Sequence, residues 1–315
     1  MKIFITGGAG FIGSHLVDEL ISKKNKVTVY DNFSTGRSRF LSSLKKSTNL
    51  NIIKADLLDH DKVVDSMKGH DFVFHFAANA DVRFGIEHPK RDLEQNIIVT
   101  HNVLEAMRIN KISKIVFSST GSIYGEALTI PTPEDVSFPV QTSLYGASKL
   151  SGEGMISAYC EGFQFQAWIF RFVSILGERY SHGHIFDFYK QLNSTPNKLK
   201  VLGDGSQRKS YLYVKDCING ILHAIQNCNK KLNIFNLGTN EYVTVNESIS
   251  IICKELDLNP ELIYTGGDRG WVGDNPFIWL DCKNINSLGW KPKLSIAESV
   301  RRTVQWIKKN EWIIE

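Results

Sequence analysis

The sequence has few cysteines, little net charge and no long apolar run, and each shortage excludes a class of protein. Five cysteines in 315 residues, without a Cys-x2-Cys pair, do not suit a disulfide-rich or zinc-binding domain. No apolar stretch reaches the roughly 20 residues that span a bilayer, and glycines interrupt the N-terminal apolar run, unlike a signal peptide. The 37 basic and 33 acidic residues are spread along the chain and give a net charge of +4. We therefore expect a cytoplasmic protein with reduced thiols and with neither nucleic acid nor membrane as a partner.

Short apolar segments alternate with helical patterns in the first half of the chain, which is typical of an α/β fold. This alternation predicts a doubly wound parallel sheet covered by helices on both faces. Beyond about residue 170, denser glycines and turns indicate a smaller α/β substrate-binding lobe. We expect residues 1–170 to form a cofactor-binding domain, residues 211–238 to return to its sheet, and residues 171–315 to form mainly the second lobe. The predicted strands are residues 3–5, 27–30, 51–55, 72–76, 115–118, 167–172 and 233–237.

A glycine-rich turn, TGGAGFIG at residues 6–13, follows the first predicted strand and precedes a helical pattern. Gly7 suits the tight turn, Gly10 lets a pyrophosphate approach the backbone, and Gly13 allows close packing of the helix. The N–H groups at the start of that helix would face the anion. The next strand ends in Asp31, where a carboxylate would reach the ribose hydroxyls of an adenosine. This order predicts a Rossmann-type dinucleotide site rather than a glycine turn followed by a surface aspartate.

Tyr145 and Lys149, in LYGASK, are four residues apart, so a helix would place both side chains on one face. A nearby cation favours the phenolate, so Tyr145 would accept a proton nearer to neutral pH than its usual pKa of roughly 10. An isolated Tyr-x3-Lys pair is also compatible with surface packing in a chain that has 10 tyrosines. The accompanying motifs favour a catalytic base.

The segment SSTGSIYG, residues 118–125, follows the apolar part of the fifth predicted strand. Hydroxyl groups at the carboxyl end of a parallel strand face the crevice in which ligands bind. Thr120 or Ser122 could bond both a substrate oxygen and Tyr145 and pass the proton along. A polar turn is the alternative, because serine and glycine favour turns.

The order and spacing of these motifs resemble the extended short-chain dehydrogenase/reductases that act on nucleotide sugars, and among them the UDP-glucose (UDP-galactose) 4-epimerases. The resemblance implies that Tyr145 removes the C4 hydroxyl proton while C4 gives hydride to NAD⁺. The 4-keto sugar then rotates, and hydride returns to its other face. The resemblance covers essentially the whole chain through TGGAGFIG, Asp31, SSTGSIYG, YGASK, RFVSILG, GDGSQRKSYLYVKD, NLG and LGWKPKLSIAESV.

The resemblance also implies roles for individual residues. Thr120 is the proton relay, Lys149 lowers the pKa of Tyr145 and holds the nicotinamide ribose, and Ser122 contacts the sugar. NAD is favoured over NADP, because Asp31 would repel a 2′-phosphate that Arg37 and Arg39 could otherwise neutralise. The cofactor-binding residues implied are Gly7, Gly10, Phe11, Ile12, Asp31, Asn32, Ser34, Gly36, Asp56, Leu57, Phe76, Ala77, Ala78, Asn96, Tyr145 and Lys149.

The end of the 115–118 strand separates the epimerases from related enzymes. Sugar 4,6-dehydratases of the family carry an Asp-Glu pair after the relay threonine, whereas this chain has Gly121 and Ser122. Decarboxylases of UDP-glucuronate place Glu where Ser122 stands, and fucose-type epimerase/reductases would need a Cys/His pair. The alternatives left open are a UDP-glucuronate 4-epimerase or decarboxylase, or another enzyme that modifies nucleotide sugars.

The substrate-binding motifs depart from the family pattern. Ser174 replaces an asparagine that contacts the diphosphate-sugar, and Lys209 stands where an arginine is expected, with Arg208 one position earlier. Lysine provides a point charge without the bidentate fork of arginine. We expect a nucleotide-diphosphate sugar, with UDP-sugars favoured, and leave the sugar undetermined. The expected substrate-binding residues are Ser122, Ser174, Arg208, Lys209, Tyr211, Arg269 and Asp274.

His182 and His184 flank Gly183 and could line the sugar pocket or pair with a uronate, although a partly exposed loop is the simpler interpretation. The spacing alone does not predict a metal site, because Cys or carboxylate ligands do not accompany the histidines.

Two other functions are compatible with the fold. A ketone or sterol reductase would lack a diphosphate site, and Arg208, Lys209 and Arg269 argue against it. A noncatalytic dinucleotide sensor would be expected to lose the tyrosine or the lysine of the YGASK motif. By resemblance, the helices at 92–108 and 145–159 would form a homodimer interface.

Overall fold

The computed structural model describes residues 1–82, 85–137, 139–271 and 274–315. Its strands are β1 (Lys2–Thr6), β2 (Lys26–Asp31), β3 (Leu50–Lys54), β4 (Phe72–His75), β5 (Lys114–Thr120), β6 (Gln166–Phe172), β7 (Ser174–Leu176), β8 (Lys198–Val201), β9 (Arg208–Lys209), β10 (Tyr211–Tyr213), β11 (Leu232–Leu237), β12 (Val243–Thr244), β13 (Glu261–Tyr264) and β14 (Phe277–Ile278). Its helices are α1 (Phe11–Ser22), α2 (His60–Met67), α3 (Pro89–Asp92), α4 (Val99–Ile109), α5 (Leu144–Phe163), α6 (His184–Ser194), α7 (Val214–Asn227), α8 (Val245–Leu256), α9 (Lys283–Ser287) and α10 (Ile296–Lys309).

The central sheet of the described chain has seven strands in the order β11-β6-β5-β4-β1-β2-β3. The pairs β1–β2, β1–β4, β2–β3 and β4–β5 are parallel. The inner strands are nearly continuous apolar runs, as expected when both faces of a parallel sheet are covered. The predicted Rossmann-type doubly wound sheet is therefore confirmed, and each predicted strand is present with its ends moved by one or two residues.

The described contacts divide the chain into two compact units. The first comprises residues 1–123, 143–171 and 221–235, and includes nearly all of the seven-stranded sheet. Its core is formed by apolar side chains such as Phe4, Val73, Leu104, Ile115 and Ile169, all of which are fully buried.

The second unit comprises residues 124–142, 172–220 and 236–315. It contains short pairings, among them parallel β7–β10 and β8–β13 and the three-stranded sheet β12-β9-β14. Its helix α8 begins with a capping box, in which Thr244 accepts from the N–H of Glu247 and the Glu247 carboxylate accepts from the N–H of Thr244.

Two local features of the first unit position candidate site residues. Helix α5 begins at Ser143, whose hydroxyl accepts from the N–H of Gly146 at 3.0 Å, and this cap fixes where Tyr145 starts the helix. Between α3 and α4, the segment Leu93–Ile98 is π-helical, a geometry that is often found at functional sites. Among the described residues, no helix is both long and apolar enough to cross a membrane.

Candidate active site

Strand β5 and helix α5 bring three of the predicted catalytic residues together. The Tyr145 hydroxyl is hydrogen-bonded to the Thr120 hydroxyl. Thr120 Oγ1 lies 3.3 Å from Ser122 Oγ and accepts from the Ser122 N–H at 3.1 Å. The expected proximity of the phenol to a relay hydroxyl is thus present, with a second hydroxyl next to it.

Lys149 is buried one helical turn after Tyr145. Its ammonium donates to the Ser118 carbonyl at 2.7 Å and lies 4.6 Å from the centre of the Phe117 ring. Burial lowers the pKa of Lys149 to about 7, although the negative charge of Glu153 opposes this. The lysine is therefore poised between its charged and neutral forms near neutral pH.

The pKa of Tyr145 differs from the sequence-based expectation. Burial raises it to about 12, the Thr120 hydrogen bond lowers it only in part, and the negative charge of Asp92 raises it. The main physical reason is the burial of the phenol, and the ammonium of Lys149 donates to the Ser118 carbonyl. In this structure the Tyr145 phenolate therefore forms less readily near neutral pH than the spacing of the pair predicted.

The carboxyl ends of β1, β2 and β3 gather most of the predicted cofactor residues. Asp31 is buried, and its carboxylate accepts from the N–H groups of Ala9 at 2.9 Å and Phe33 at 2.8 Å. Asn32 donates to the Asp56 carboxylate at 2.9 Å, which joins the ends of β2 and β3. Of the remaining predicted residues here, Ser34 is exposed, whereas Gly36 and Leu57 are buried.

Asn96, in the π-helical segment, has protein partners on every polar group of its side chain. Its carbonyl accepts from the Asn79 N–H at 2.8 Å, and its amide donates to Ser148 Oγ at 2.8 Å and to Asp92 Oδ1 and the Asn79 carbonyl, each at 3.2 Å. The side chain is 2% exposed. The structure therefore gives Asn96 the geometry of a tether between the segment after β4 and helix α5, and a direct cofactor contact remains a prediction.

The second unit brings three of the predicted substrate-binding residues together. Lys209 Nζ lies 2.9 Å from Asp274 Oδ1 and also donates to the Asn275 carbonyl, while the Gly270 N–H donates to Asp274 Oδ2 at 3.0 Å. Arg269 donates to the Glu126 carboxylate at 2.7 Å and to the Asp274 carbonyl at 3.3 Å. Two of the three cations predicted to meet a diphosphate, Lys209 and Arg269, are thus paired with carboxylates.

The other predicted substrate-binding residues of this unit have different surroundings. Arg208 is exposed, and its guanidinium lies 4.0 Å from the centre of the Phe277 ring, a cation–π contact. Ser174 pairs with Tyr211 in the β7–β10 register. The Tyr211 hydroxyl lies 2.9 Å from His184 Nδ1. Burial and the charge of Lys209 lower the pKa of His184 to about 3, so this imidazole is neutral at physiological pH.

His182 stacks on the ring of Tyr180, with centroids 6.1 Å apart. Within the described ranges of the chain, no three His, Cys, Asp or Glu side chains are arranged to hold a metal ion. His184, one of the two histidines that the sequence left open, is thus in contact with the predicted substrate-binding residue Tyr211.

Comparisons with known proteins place this geometry in a family. Residues 3–238, well over half of the chain, match the NAD dependent epimerase/dehydratase family. The chain belongs to that family. A putative UDP-glucose 4-epimerase of Methanocaldococcus jannaschii is 36% identical over 314 residues, covering 98% of this chain and 99% of its own length.

Solved structures of family members are similar to this chain over nearly its full length. A crystal structure of a UDP-galactose 4-epimerase has a TM-score of 0.89 and 36% identity, covering 99% of this chain and 100% of its own. A UDP-glucuronic acid 4-epimerase from Bacillus cereus, in complex with UDP-glucuronic acid and NAD, has a TM-score of 0.91 and 28% identity, covering 98% and 100%. The chain is thus an enzyme of the nucleotide-sugar epimerase/dehydratase family, with NAD as its cofactor.

The glycine turn of this family member fits a dinucleotide. A Cβ on Gly7, whose φ is +71°, would lie 2.6 Å from the backbone nitrogen of Ala77, and a Cβ on Gly13 would lie 2.2 Å from the Gly7 carbonyl oxygen. The turn, the start of α1 and the segment after β4, with Phe76, Ala77 and Ala78, are therefore packed backbone to backbone. Gly10 is the N-cap of α1 and has no side chain to bond the N–H groups that follow it, which suits an anion at Phe11 and Ile12.

The sequence analysis missed several residues that the family geometry brings to the site. Glu153 and Ser119 lie directly beside the Lys149 and Thr120 positions, and Arg171 pairs with Glu153. The available signal was the spacing Tyr145-x3-Lys149-x3-Glu153, which places all three side chains on one face of α5.

Proposed function

We propose that the chain is a 4-epimerase of a nucleotide-diphosphate sugar, of the UDP-glucose/UDP-galactose type. The observation that carries the proposal is the hydroxyl of Ser122, which lies beside Thr120, the expected proton relay. Ser122, a hydroxyl, lies 3.3 Å from Thr120, which is bonded to Tyr145. By resemblance, the dehydratases and decarboxylases of the family carry carboxylates just after the relay threonine, and the serine hydroxyl is too weak an acid to replace them.

Each step of the proposed chemistry falls to a named group. Thr120 accepts a hydrogen bond from the sugar hydroxyl, and Tyr145, once it is the phenolate, takes up the proton that leaves this hydroxyl. Lys149, in its charged form, stabilises the Tyr145 phenolate. Bound NAD would supply the reversible oxidation of C4. The 4-keto sugar could then rotate before it is reduced. Because proton and cofactor are both returned, no net redox change is expected.

We propose a division of labour between the two units. The first, with the glycine turn and Asp31, holds the dinucleotide and the catalytic hydroxyls. The second holds the nucleotide sugar through Lys209, Arg269, Asp274 and the neutral His184. Support comes from the clustering of each set within its own unit. Asp274, a carboxylate fixed by Lys209, suits recognition of hydroxyl donors such as those of a ribose.

The proposal is tested with purified protein and a panel of UDP-glucose, UDP-galactose, UDP-N-acetylglucosamine, UDP-glucuronate and dTDP-, CDP- and GDP-sugars. Proton NMR follows C4 inversion, and loss of carbon dioxide is measured in parallel. We expect inversion of at least one UDP-sugar without added NAD, since the cofactor would be regenerated in each turnover. Inversion of none, or release of carbon dioxide from a uronate, would overturn the 4-epimerase assignment.

We also propose that the enzyme is a homodimer. Leu93 and Ile98 in the π-helical segment and Leu144 at the start of α5 are large apolar side chains that are exposed in the single chain. Such exposure on neighbouring helices is typical of an association surface. Light scattering of the wild type should give the mass of two chains, and Leu144→Glu should shift it to one, whereas Leu128→Glu, in a fully exposed loop, should leave it unchanged.

A further inference from the structure

Three contacts join the end of β5 to one face of α5. Residues 118–120 of the strand meet Tyr145, Lys149 and Glu153, which recur at every fourth position of the helix. We name this set the strand–helix ladder. Its contacts are Thr120 with Tyr145, the Ser118 carbonyl with Lys149 Nζ at 2.7 Å, and the Ser119 hydroxyl, which donates to Glu153 Oε1.

Glu153, the last helix residue of the strand–helix ladder, also forms a buried ion pair with Arg171. Arg171 on β6 donates to both carboxylate oxygens of Glu153, through Nε at 3.1 and 3.2 Å and Nη2 at 2.8 Å. The side chains of Arg171 and Glu153 are 9% and 5% exposed. A bidentate pair of this kind fixes the direction of the carboxylate as well as its charge. Helix α5 is thereby attached to the neighbouring strands β5 and β6 through Glu153, one turn after Lys149.

The charges around Lys149 come from several elements. His75 on β4 is fully buried between the hydroxyls of Thr6 at 2.7 Å and Thr100 at 2.9 Å, and it is neutral because burial lowers its pKa to about 3. Tyr145 is neutral at rest, since its pKa is about 12. The negative charge of Asp92 raises the pKa of Tyr145, and the guanidinium of Arg171 is paired with the carboxylate of Glu153. Glu153 is the carboxylate that raises the pKa of Lys149 against the effect of burial.

We infer that Glu153 is a positioning residue that keeps Lys149 protonated beneath Tyr145, and that Arg171 and Ser119 hold its carboxylate in place for this purpose. The buried pair would then act on the reaction through the charge of Lys149 rather than through substrate contact. This inference rests on the proposed roles of Tyr145 and Lys149 in epimerisation.

The test variant is Glu153→Gln, which keeps the side-chain length and removes the charge. Because the protonated form of Lys149 is the active one, loss of the negative charge should move the high-pH decline of kcat/KM to lower pH, by about one unit or more. In protein labelled with ¹³Cε-lysine, the Lys149 resonance, identified by its absence in Lys149→Met, should titrate at a correspondingly lower pH.

Glu161→Gln is the matched control, because Glu161 lies on the same helix and pairs with Lys231 at 2.7 Å while 83% exposed. It should leave both the pH profile and the Lys149 titration unchanged. If Glu153→Gln lowers stability or kcat equally at every pH and leaves the Lys149 titration in place, the residue is only structural and the inference is wrong.

A second variant covers the case in which Glu153→Gln does not fold, since it leaves the Arg171 charge buried without its partner. Glu153→Gln with Arg171→Met removes both charges. Lys149 should then titrate below the wild type, and an unchanged titration would contradict the inference. The titration needs no sugar, so its result stands apart from the outcome of the substrate panel.

Discussion

The candidate functional cations of the two units have different surroundings. In the first, the candidate catalytic lysine is deeply buried and donates to a backbone carbonyl, with a carboxylate one turn away. In the second, the candidate phosphate-binding residues Lys209 and Arg269 are paired directly with Asp274 and Glu126. Burial therefore lowers the pKa of the candidate lysine of the first unit, whereas carboxylates pair with the two candidate cations of the second.

This difference teaches where the chain follows its family and where it departs. The candidate catalytic residues match the family motif position by position, and Thr120 is hydrogen-bonded to Tyr145. The departures, Ser174 and Lys209, fall in the unit proposed to bind the nucleotide sugar. Under the proposed function, chemistry and recognition could thus vary separately, because the residues proposed for each are grouped in different units.

The largest effect is expected in the first unit, from Tyr145→Phe. Removing the hydroxyl eliminates the proton acceptor and its bond to Thr120, so turnover should fall by at least about a hundredfold. The variant should still fold and retain NAD, because the glycine turn and Asp31 are untouched. Turnover by NMR and bound NAD per chain are measured together, and near-normal epimerisation would contradict the proposed role of Tyr145.

The second prediction compares two ion pairs of the second unit. Asp274→Ala leaves Lys209, whose side chain is 16% exposed, without its carboxylate, so the free energy of unfolding should fall by about 3 kcal/mol. Glu126→Gln removes the partner of Arg269 at the surface, where ion pairs contribute little. Denaturant unfolding should therefore separate the two variants clearly. Equal losses would show that the Lys209–Asp274 pair is not specially stabilising.

The third prediction concerns one neutral histidine in each unit, whose effect per pH unit is small. The pKa of His75 and of His184 is about 3, well below the ordinary 6.5, so the unfolded chain binds more protons than the folded one between these values. Stability should be lost as pH falls from 6.5 towards 3, on the order of 1 kcal/mol per pH unit for His75.

His75→Gln, which keeps a polar partner for the two threonines, and His184→Gln should each flatten the dependence of stability on pH in this window. Unfolding curves at pH 4, 5, 6 and 7 measure the slope. If the slope of His75→Gln equals that of the wild type, this histidine is charged in the folded protein or exchanges protons freely, contrary to its burial.

The sequence predicted the sheet and the candidate catalytic contact well, because both depend on short-range pattern. Apolar runs of strand length specify buried parallel strands, and a four-residue spacing specifies a helix face. The Thr120–Tyr145 contact followed from motif order. The pKa of Tyr145 did not follow, since it depends on burial and on where the Lys149 ammonium is directed, and neither is encoded in spacing.

Contacts between positions that are far apart in the sequence could not be predicted from it, for the same reason. The Glu153–Arg171 pair joins residues 18 apart, and the Lys209–Asp274 pair joins residues 65 apart. A charged residue in a sequence gives no sign of which opposite charge will approach it once the chain is folded. The π-helical turn at Asn96 likewise depends on tertiary contacts with Asn79 and Ser148 rather than on local propensity.

If the second unit binds the nucleotide sugar as proposed, the pairing of Lys209 with Asp274 would let it discriminate among anions. A simple anion such as inorganic phosphate could neutralise Lys209 but would leave Asp274, 4% exposed, without its cation. A ligand that presents an anionic group together with hydroxyl donors can satisfy both ends at once. The pair would then bind small anions weakly. It would bind more tightly a molecule that carries both an anionic group and hydroxyl donors.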